Sequence, residues 1–216
     1  MNRRLLIAKA IRHLLKSDPV MGRLIEQVGP FTLRLERDRF HLLVRSIISQ
    51  QISTHVARTI RDRLERLLAP DAVSPTSLIR LSEQELRSVG LSKQKATYLS
   101  DLARKAADGT IRLRQIGRLD DEQVIRTLTQ VKGIGRWTAQ MFLIFSLGRL
   151  DVFPQDDLGV RVAIRDLYGL GDLPDKKTSL AVAAPWRPFA SVASWYCWRS
   201  LDLKRRAATY AAGYPS

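Results

Sequence analysis

The glycines and carboxylates between residues 127 and 157 are the residues best suited to chemistry on a polyanion. Gly133 and Gly135 flank Ile134 between two predicted helices, and glycine permits the backbone angles and the close approach that such a turn needs. The second helix is predicted to begin near Arg136, so its first N–H groups form a positive end that suits a DNA phosphate. A phosphate contact of this kind fixes position without identifying any base.

A pair of carboxylates, Asp156 and Asp157, follows Pro154 on the far side of the next predicted helix. A fixed carboxylate at a helix N-terminus is favoured in its ionised form and can stabilise a developing positive charge. An isolated Asp-Asp pair after a proline would be explained more simply as a helix cap. The phosphate-binding turn upstream favours a chemical role for Asp157, and Asp156 then supplies the cap.

The charge of the chain is its most unusual bulk property. Its 216 residues include 36 basic and 21 acidic ones, which gives a net charge of +15. Such an excess favours a polyanionic partner, nucleic acid above all. A cationic surface that serves solubility and a ribosome-associated protein remain alternatives. The arginines at 58, 61, 63 and 66 form a basic stripe that suits either a solvated helix face or a face toward DNA.

Cysteine and histidine usage argues against metal centres. Cys197 is the only cysteine, which excludes a disulfide framework, a four-cysteine zinc site and a four-cysteine iron–sulfur cluster formed within this chain. His13, His41 and His55 have no partners at ligand spacing. The N-terminus does not resemble a signal peptide, and no segment is apolar for long enough to span a bilayer. We therefore expect a soluble cytoplasmic protein with no membrane partner.

Most of the chain has the periodicity of amphipathic helices. Alternation of apolar and polar residues over 31–36 is compatible with one short strand, and the last six residues are expected to fray. Serine, aspartate and glycine mark several helix ends. The predicted helices are 5–16, 19–28, 40–50, 53–68, 83–89, 93–107, one from Asp120 to the hairpin, one from Arg136, one from Asp157 to about Tyr168, 177–184 and 188–201.

Four stretches together match a known family. The run Gly133–Ala139 with Asp157 downstream resembles the helix–hairpin–helix DNA glycosylases, and more closely the bacterial 3-methyladenine DNA glycosylase II family. Three further stretches agree, and the similarity extends over about residues 15–201. They are Arg45–Ser53, Gly90-Leu91-Ser92 with Lys95-Ala96, and Trp186-Arg187-Pro188 with Trp195–Trp198.

The resemblance implies an all-α, two-lobed helix–hairpin–helix glycosylase fold with the active site in the cleft between the lobes. The lobe with the hairpin would span about residues 40–150, and residues 1–39 and 151–216 would form the other. Some members of the family carry an additional β-rich N-terminal domain. Only about forty residues precede the helix at Phe40, so we expect that domain to be missing and the pocket to be more open.

The implied activity is that of a monofunctional DNA glycosylase. It would hydrolyse the N-glycosidic bond of alkylated purines such as 3-methyladenine and 7-methylguanine in duplex DNA, with Asp157 as the catalytic residue. Trp137 stands where bifunctional members carry a nucleophilic lysine, so no Schiff base is expected. The alternatives are a bifunctional endonuclease of the same superfamily and a hairpin module that binds DNA without catalysis.

The resemblance also assigns binding residues. Trp137 and Trp198 would form aromatic pocket walls that stack on a cationic base, while Met141 either lines the pocket or packs. Gln51, with Gln50, would fill the gap left by the flipped base. Trp186 and Trp195 are expected in the core. The phosphate-binding hairpin would comprise Lys132, Gly133, Gly135, Arg136 and Thr138.

A monovalent cation is the one cofactor that the resemblance implies. Na⁺ or K⁺ would bind the backbone carbonyls of Thr129, Val131 and Ile134 and bridge the hairpin to phosphate. The expected partner is duplex DNA with damaged bases. We expect a monomer that acts at the bacterial nucleoid.

Overall fold

A computed structural model of the chain describes residues 3–211, and side chains as far as residue 205. Every regular element in that range is helical, which confirms the predicted all-α class. Residues 212–216, most of the segment expected to fray, lie outside the described residues. No described helix is long and apolar enough to cross a membrane.

The described α-helices follow the predicted pattern closely, with one short addition, α5, in a predicted loop. A 3₁₀ turn spans Ile116–Arg118, a second spans Ala184–Trp186, and α9 continues into a π-helix at Leu143–Leu147. The helices are α1 (Arg3–Ser17), α2 (Pro19–Val28), α3 (Arg39–Ser49), α4 (Thr54–Leu68), α5 (Pro75–Leu78), α6 (Glu83–Ser88), α7 (Lys93–Ala107), α8 (Asp121–Leu128), α9 (Arg136–Phe142), α10 (Leu158–Leu167), α11 (Lys176–Ala183) and α12 (Ala190–Ala211).

Local capping explains where many of these helices begin. The side chain of Asp18 accepts backbone N–H groups at the start of α2, and Ser92 does the same for α7. Ser82 and Asp120 form reciprocal capping boxes at α6 and α8. These four caps confirm the predicted start points, because each satisfies N–H groups that the first helical turn leaves without partners.

The short strand considered for residues 31–36 does not form; residues 31–38 have neither helical nor strand geometry. Phe31 packs edge-on against Trp195 with ring centroids 4.7 Å apart, and Leu33 is partly buried against the same core. The alternation therefore reflects an extended segment with one side packed on helices. No described strand lies beside it to complete a ladder.

The chain divides into two compact units, each with its own core. The first unit comprises residues 1–34 and 148–216, and the second comprises residues 35–147. In the first unit, α1, α2 and α10 pack on α12 or on one another. Trp186 is fully buried and Trp195 is 5% exposed, which confirms both as core residues. In the second unit, α3 packs on α4, α7 and α9.

A buried carboxylate organises the core of the first unit. Asp18 is 6% exposed, and its Oδ2 accepts hydrogen bonds from the Tyr168 hydroxyl and, at 2.8 Å, from Trp186 Nε1. Its Oδ1 accepts the backbone N–H groups of Val20 and Met21 at 2.9 and 3.1 Å. Burial, and then the bond to Asp18, raise the pKa of Tyr168 far above its usual range, so the phenol remains a donor.

We expect Asp18→Asn to lower the free energy of unfolding by about 1–3 kcal/mol, because an amide oxygen that accepts from both Trp186 and Tyr168 leaves the NH₂ group facing the N–H donors of the cap. Urea unfolding would measure the loss. Asp175→Asn is the matched control: Asp175 is an exposed cap of α11 with one backbone bond, to Thr178. Asparagine caps as well as aspartate does, so equal losses at both sites would contradict this account.

Candidate active site and anion-binding hairpin

The turn between α8 and α9 has the predicted hairpin form. The backbone N–H of Ile134 donates to the carbonyl of Val131 at 3.1 Å, and α9 begins at Arg136 as expected. Gly133 has φ of +80°, a conformation that side-chain-bearing residues avoid. Gly135 is the N-cap residue of α9 and offers no side chain to cap it.

The two glycines of the hairpin serve different purposes. A Cβ atom on Gly133 would lie 2.0 Å from Cδ2 of Tyr98, so this glycine lets the hairpin close onto α7. At Gly135 a Cβ atom would meet nothing within 4 Å. The chain's own packing therefore requires the first glycine, and the second leaves the outer face of the turn accessible to an external group.

The start of α9 is suited to an external anion. The first-turn N–H groups of a helix have no intrahelical acceptors, and no side chain caps α9, whereas aspartates cap α8 and α10. Thr138, assigned by the sequence to the phosphate-binding hairpin, is only 4% exposed, so its hydroxyl does not present itself to an external anion. Lys132 is exposed beside the turn.

Arg136 is paired with a carboxylate rather than reserved for phosphate alone. Its guanidinium donates to both carboxylate oxygens of Glu122 on α8. That hydrogen bonding holds the pKa of Glu122 below its usual range. The exposed pair ties the first turn of α9 to the preceding helix, a task that the sequence did not suggest.

A second buried carboxylate, that of Asp101, holds the hairpin against α7. Asp101 on α7 is 6% exposed, and its Oδ2 accepts the backbone N–H of Lys132 at 2.9 Å and Lys105 Nζ at 2.7 Å. Lys105 also donates to the carbonyl of Gln130. Burial acts to raise the pKa of Asp101, but the hydrogen bonds from Lys105, Lys132 and Arg104 outweigh it and leave the pKa below its usual range. Hairpin residues 130 and 132 are thus both bound to α7.

The loop predicted to fill the DNA duplex follows α3. Gln51 is exposed and has φ of +56°. The resemblance assigns Gln50 and Gln51 to the segment that fills the gap left by a flipped base, here called the wedge. In the structure the Gln50 side chain donates instead from Nε2 to the carbonyl of Gly133 at 2.8 Å. The structure thus engages Gln50 with the hairpin and leaves the Gln51 side chain exposed.

Asp157 lies at the start of α10 with its carboxylate almost fully buried, at 7% exposure. Its Oδ1 accepts the backbone N–H of Val160 at 2.8 Å, so Asp157 is the N-cap of this helix. The prediction that Asp156 provides the cap is wrong: Asp156 is exposed, because the turn from Pro154 to Asp157 starts the helix one residue later. The cap is therefore the same carboxylate that the sequence analysis assigns to catalysis.

Trp198 orients this carboxylate. Its Nε1 donates to Asp157 Oδ1 at 2.9 Å, so two N–H groups converge on one oxygen. Gly159 makes the contact possible: a Cβ atom there would lie 3.1 Å from Asp157 Oδ1 and 3.2 Å from Trp198 Cδ1. The indole N–H of Trp198 is thus used in a hydrogen bond to Asp157. This contact comes in addition to the pocket-lining role that the resemblance implies.

The other predicted pocket residues lie on α9 in the second unit. Trp137 is 43% exposed, an unusual position for so large an apolar ring, and Met141 follows one turn later, half-buried. Exposed tryptophans often mark binding surfaces because the indole offers a large apolar contact area. A cavity of about 950 Å³ in the second unit is lined by none of the predicted site residues; its lining comprises residues 37–40, 73–76, 106, 107, 109, 111–115 and Ser146.

A family profile described as "HhH-GPD superfamily base excision DNA repair protein" matches residues 44–188, which include the hairpin, Trp137 and Asp157. The chain belongs to the HhH-GPD superfamily.

Relatives within the HhH-GPD superfamily span nearly the whole chain. DNA-3-methyladenine glycosylase 1 of Schizosaccharomyces pombe is 35% identical over 202 residues, which cover 91% of this chain and 89% of that protein. A putative DNA-3-methyladenine glycosylase of Bacillus subtilis is 32% identical over 200 residues, covering 89% and 70%. The structure of the S. pombe 3-methyladenine DNA glycosylase in complex with abasic DNA superposes with a TM-score of 0.81 at 33% identity, covering 90% of this chain and 97% of that one.

Sequence reasoning missed the residues that support the site of this HhH-GPD protein. Tyr98, Asp101 and Lys105 brace the hairpin, and Gly159 admits Trp198 to Asp157. One local signal existed: Asp101 and Lys105 stand four residues apart on a helix, a spacing that pairs charges. No neighbouring residue indicated that Lys132 would bind Asp101 or that Trp198 would bind Asp157.

We expect Gly133→Ala to lower the free energy of unfolding by about 2–4 kcal/mol, from the positive φ and the overlap with Tyr98. Gly135→Ala should change it by less than about 1 kcal/mol, since the space is open and the backbone angle ordinary. Thermal and urea unfolding of the two variants would measure the difference. A Gly133→Ala variant as stable as Gly135→Ala would contradict the packing described.

Proposed function

We propose that this protein is a monofunctional DNA glycosylase that removes alkylated purines from duplex DNA by hydrolysis, in base excision repair. The observation that carries the proposal is the geometry of Asp157. An almost fully buried carboxylate, oriented by Val160 and Trp198, is what stabilisation of a cationic sugar requires. Relatives named as 3-methyladenine DNA glycosylases, one of them in complex with abasic DNA, support this substrate class.

The reaction breaks the bond between C1′ and the purine nitrogen. Its electron pair leaves with the base, and positive charge develops on C1′ and the ring oxygen, as in other glycoside hydrolyses. The anionic Asp157 stabilises that charge, water adds its oxygen to C1′, and a proton is released. The products are the free base and an abasic site in an intact strand.

Discrimination in favour of damaged bases follows from charge. A purine methylated at N3 or N7 is cationic, so it leaves as a neutral molecule and needs no general acid. Stacking of the cation on an indole face contributes about 0.5–2 kcal/mol per contact, a gain that a neutral base lacks. Trp137 and Trp198 are the walls that we propose, with Met141 beside Trp137. Trp137 also occupies the position of the lysine in bifunctional members, which favours hydrolysis without strand cleavage.

DNA would be gripped by the hairpin and opened by the wedge. The net charge of +15 favours a polyanion, and the uncapped start of α9 at Gly135 favours one of its phosphates. Gln51 would enter the stack in place of the flipped nucleotide. With DNA as the substrate, we place the activity of the protein at the bacterial nucleoid and expect one chain to act alone.

The hairpin carbonyls also fit the monovalent cation expected from the family. Thr129, Val131 and Ile134 supply neutral oxygen donors, the ligand type that hard cations such as Na⁺ and K⁺ prefer. The Val131 carbonyl accepts the N–H of Ile134 and retains a second lone pair. A bound cation would add positive charge for phosphate binding at the hairpin.

The decisive test of the function uses a duplex that carries one 7-methylguanine. We expect chromatography to detect free 7-methylguanine, with strand cleavage only after alkali treatment. Cleavage without alkali would instead support the bifunctional endonuclease. Retention of the duplex without release of the base would support a module that only binds.

Asp157→Asn should lower the single-turnover excision rate by about 100-fold or more, because it removes the charge. The amide oxygen can still accept from Val160 and Trp198, so the fold should persist. Affinity for an abasic duplex should be retained. Asp156→Asn, one residue away and exposed, is the matched control and should keep the wild-type rate. Equal rates in the two variants would remove Asp157 from the chemistry.

Gly135→Ala should weaken binding to damaged and undamaged duplexes by a similar factor, of about tenfold, because a methyl group there obstructs a phosphate. Fluorescence anisotropy over a range of salt concentrations would measure it, and affinity should fall steeply as salt increases. A loss confined to the damaged duplex would assign Gly135 to base recognition instead.

A further inference from the structure

Lys95 on α7 makes contacts that the proposed reaction does not use. Its ammonium donates to the carbonyls of Ile48 at 2.8 Å and Gln50 at 2.6 Å, at the end of α3. A lysine is usually hydrated at the surface, yet this one is half-buried, and burial lowers its pKa below the ordinary value. A cation at the C-terminus of a helix complements the dipole and satisfies carbonyls that the last turn leaves unpaired.

The carbonyls that Lys95 holds directly precede the proposed wedge. Gln51 follows Gln50 and lies in the left-handed region at φ +56°, a conformation that residues other than glycine adopt only when their surroundings hold them there. Its side chain is exposed. The bond from Lys95 to the Gln50 carbonyl fixes the peptide group that joins Gln50 to Gln51, and so the direction in which Gln51 projects.

The same residue connects the wedge to the hairpin. While its backbone carbonyl accepts Lys95, Gln50 donates from its side chain to the carbonyl of Gly133 at 2.8 Å. Gly133 is in turn packed against Tyr98, which lies one turn after Lys95 on α7. One face of α7 therefore contacts the wedge loop through Lys95 and the hairpin through Tyr98. The Gln50 side chain joins the wedge loop directly to the hairpin.

We propose that Lys95 is a positioning residue for base flipping: through Gln50 it holds the wedge at Gln51 in fixed register with the phosphate-binding hairpin. Insertion of a side chain into DNA pushes back on the loop that carries it. If the wedge is linked to the phosphate-binding hairpin, that force is passed on to the hairpin. Binding of the DNA backbone and opening of the base stack then act together. The inference rests on the proposed function, since it assumes a flipped base.

Lys95→Met tests this, because it removes the ammonium and keeps most of the apolar stem. Two substrates carry the same 7-methylguanine, one in a fully paired duplex and one in a single-nucleotide bulge where pairing is already lost. We expect Lys95→Met to lower the single-turnover rate about tenfold on the paired duplex and less than about twofold on the bulge. Fluorescence of a 2-aminopurine beside the lesion should show a matching loss of unstacking.

Lys93→Met is the matched control. Lys93 lies on the same helix, is exposed, and loses the same charge, so it should keep wild-type rates on both substrates. Unfolding curves of all variants establish that they are folded. Gln50→Ala provides a second route if Lys95→Met does not fold: it breaks the link to Gly133 and should show the same preference for the bulge.

The double variant, Lys95→Met with Gln50→Ala, should be no slower than the slower single variant by more than about twofold, as expected for residues that act as one unit. Equal rate losses on the paired and bulged substrates, or no loss in Lys95→Met, would overturn the inference. Absence of excision by the wild-type protein on both substrates would instead overturn the proposed function, so the two failures are distinguishable.

Discussion

The need to satisfy buried carboxylates shapes both units of this protein. Within the described residues, Asp18, Asp101 and Asp157 are the buried acids, and an unpaired buried charge would be strongly destabilising. Each is surrounded by N–H or O–H donors that arrive from distant parts of the sequence. These donors fix the core of the first unit at Asp18, the hairpin at Asp101 and, at Asp157, the start of the helix that carries the proposed catalytic acid.

Features that depend on neighbouring residues were predictable from the sequence. Ser82 and Asp120 cap the helices that follow them, and Gly133 and Gly135 form the turn where expected, because the physics of a cap or a turn involves only a few adjacent residues. The assignment of Asp157 to chemistry rested on the hairpin upstream of it and on the family resemblance. Which aspartate of the pair caps α10 depended on the geometry of the turn at Pro154, which composition does not reveal.

Features that depend on distant partners were not predictable. Trp198 reaches Asp157 across 41 positions, and Lys132 reaches Asp101 across 31. Lys95 stood out only as part of a family motif. Its proposed positioning role depends on the contact between α7 and the end of α3, which the sequence does not show. The extended segment at Phe31 shows the converse: its alternation was real, but a strand also needs a neighbouring strand, and helices occupy that place.

The starts of α9 and α10 share one electrostatic feature but differ in how it is satisfied. Both helix N-termini favour an anion. At α10 the protein supplies it: Asp157 is buried and accepts two N–H groups, an arrangement that suits the proposed stabilisation of a cationic sugar. At α9 the cap residue is Gly135, which has no side chain and open space around it, so there is room for an anion from outside the chain. In the proposed reaction these are complementary requirements, since the reacting sugar becomes positive while the phosphates of the DNA stay negative.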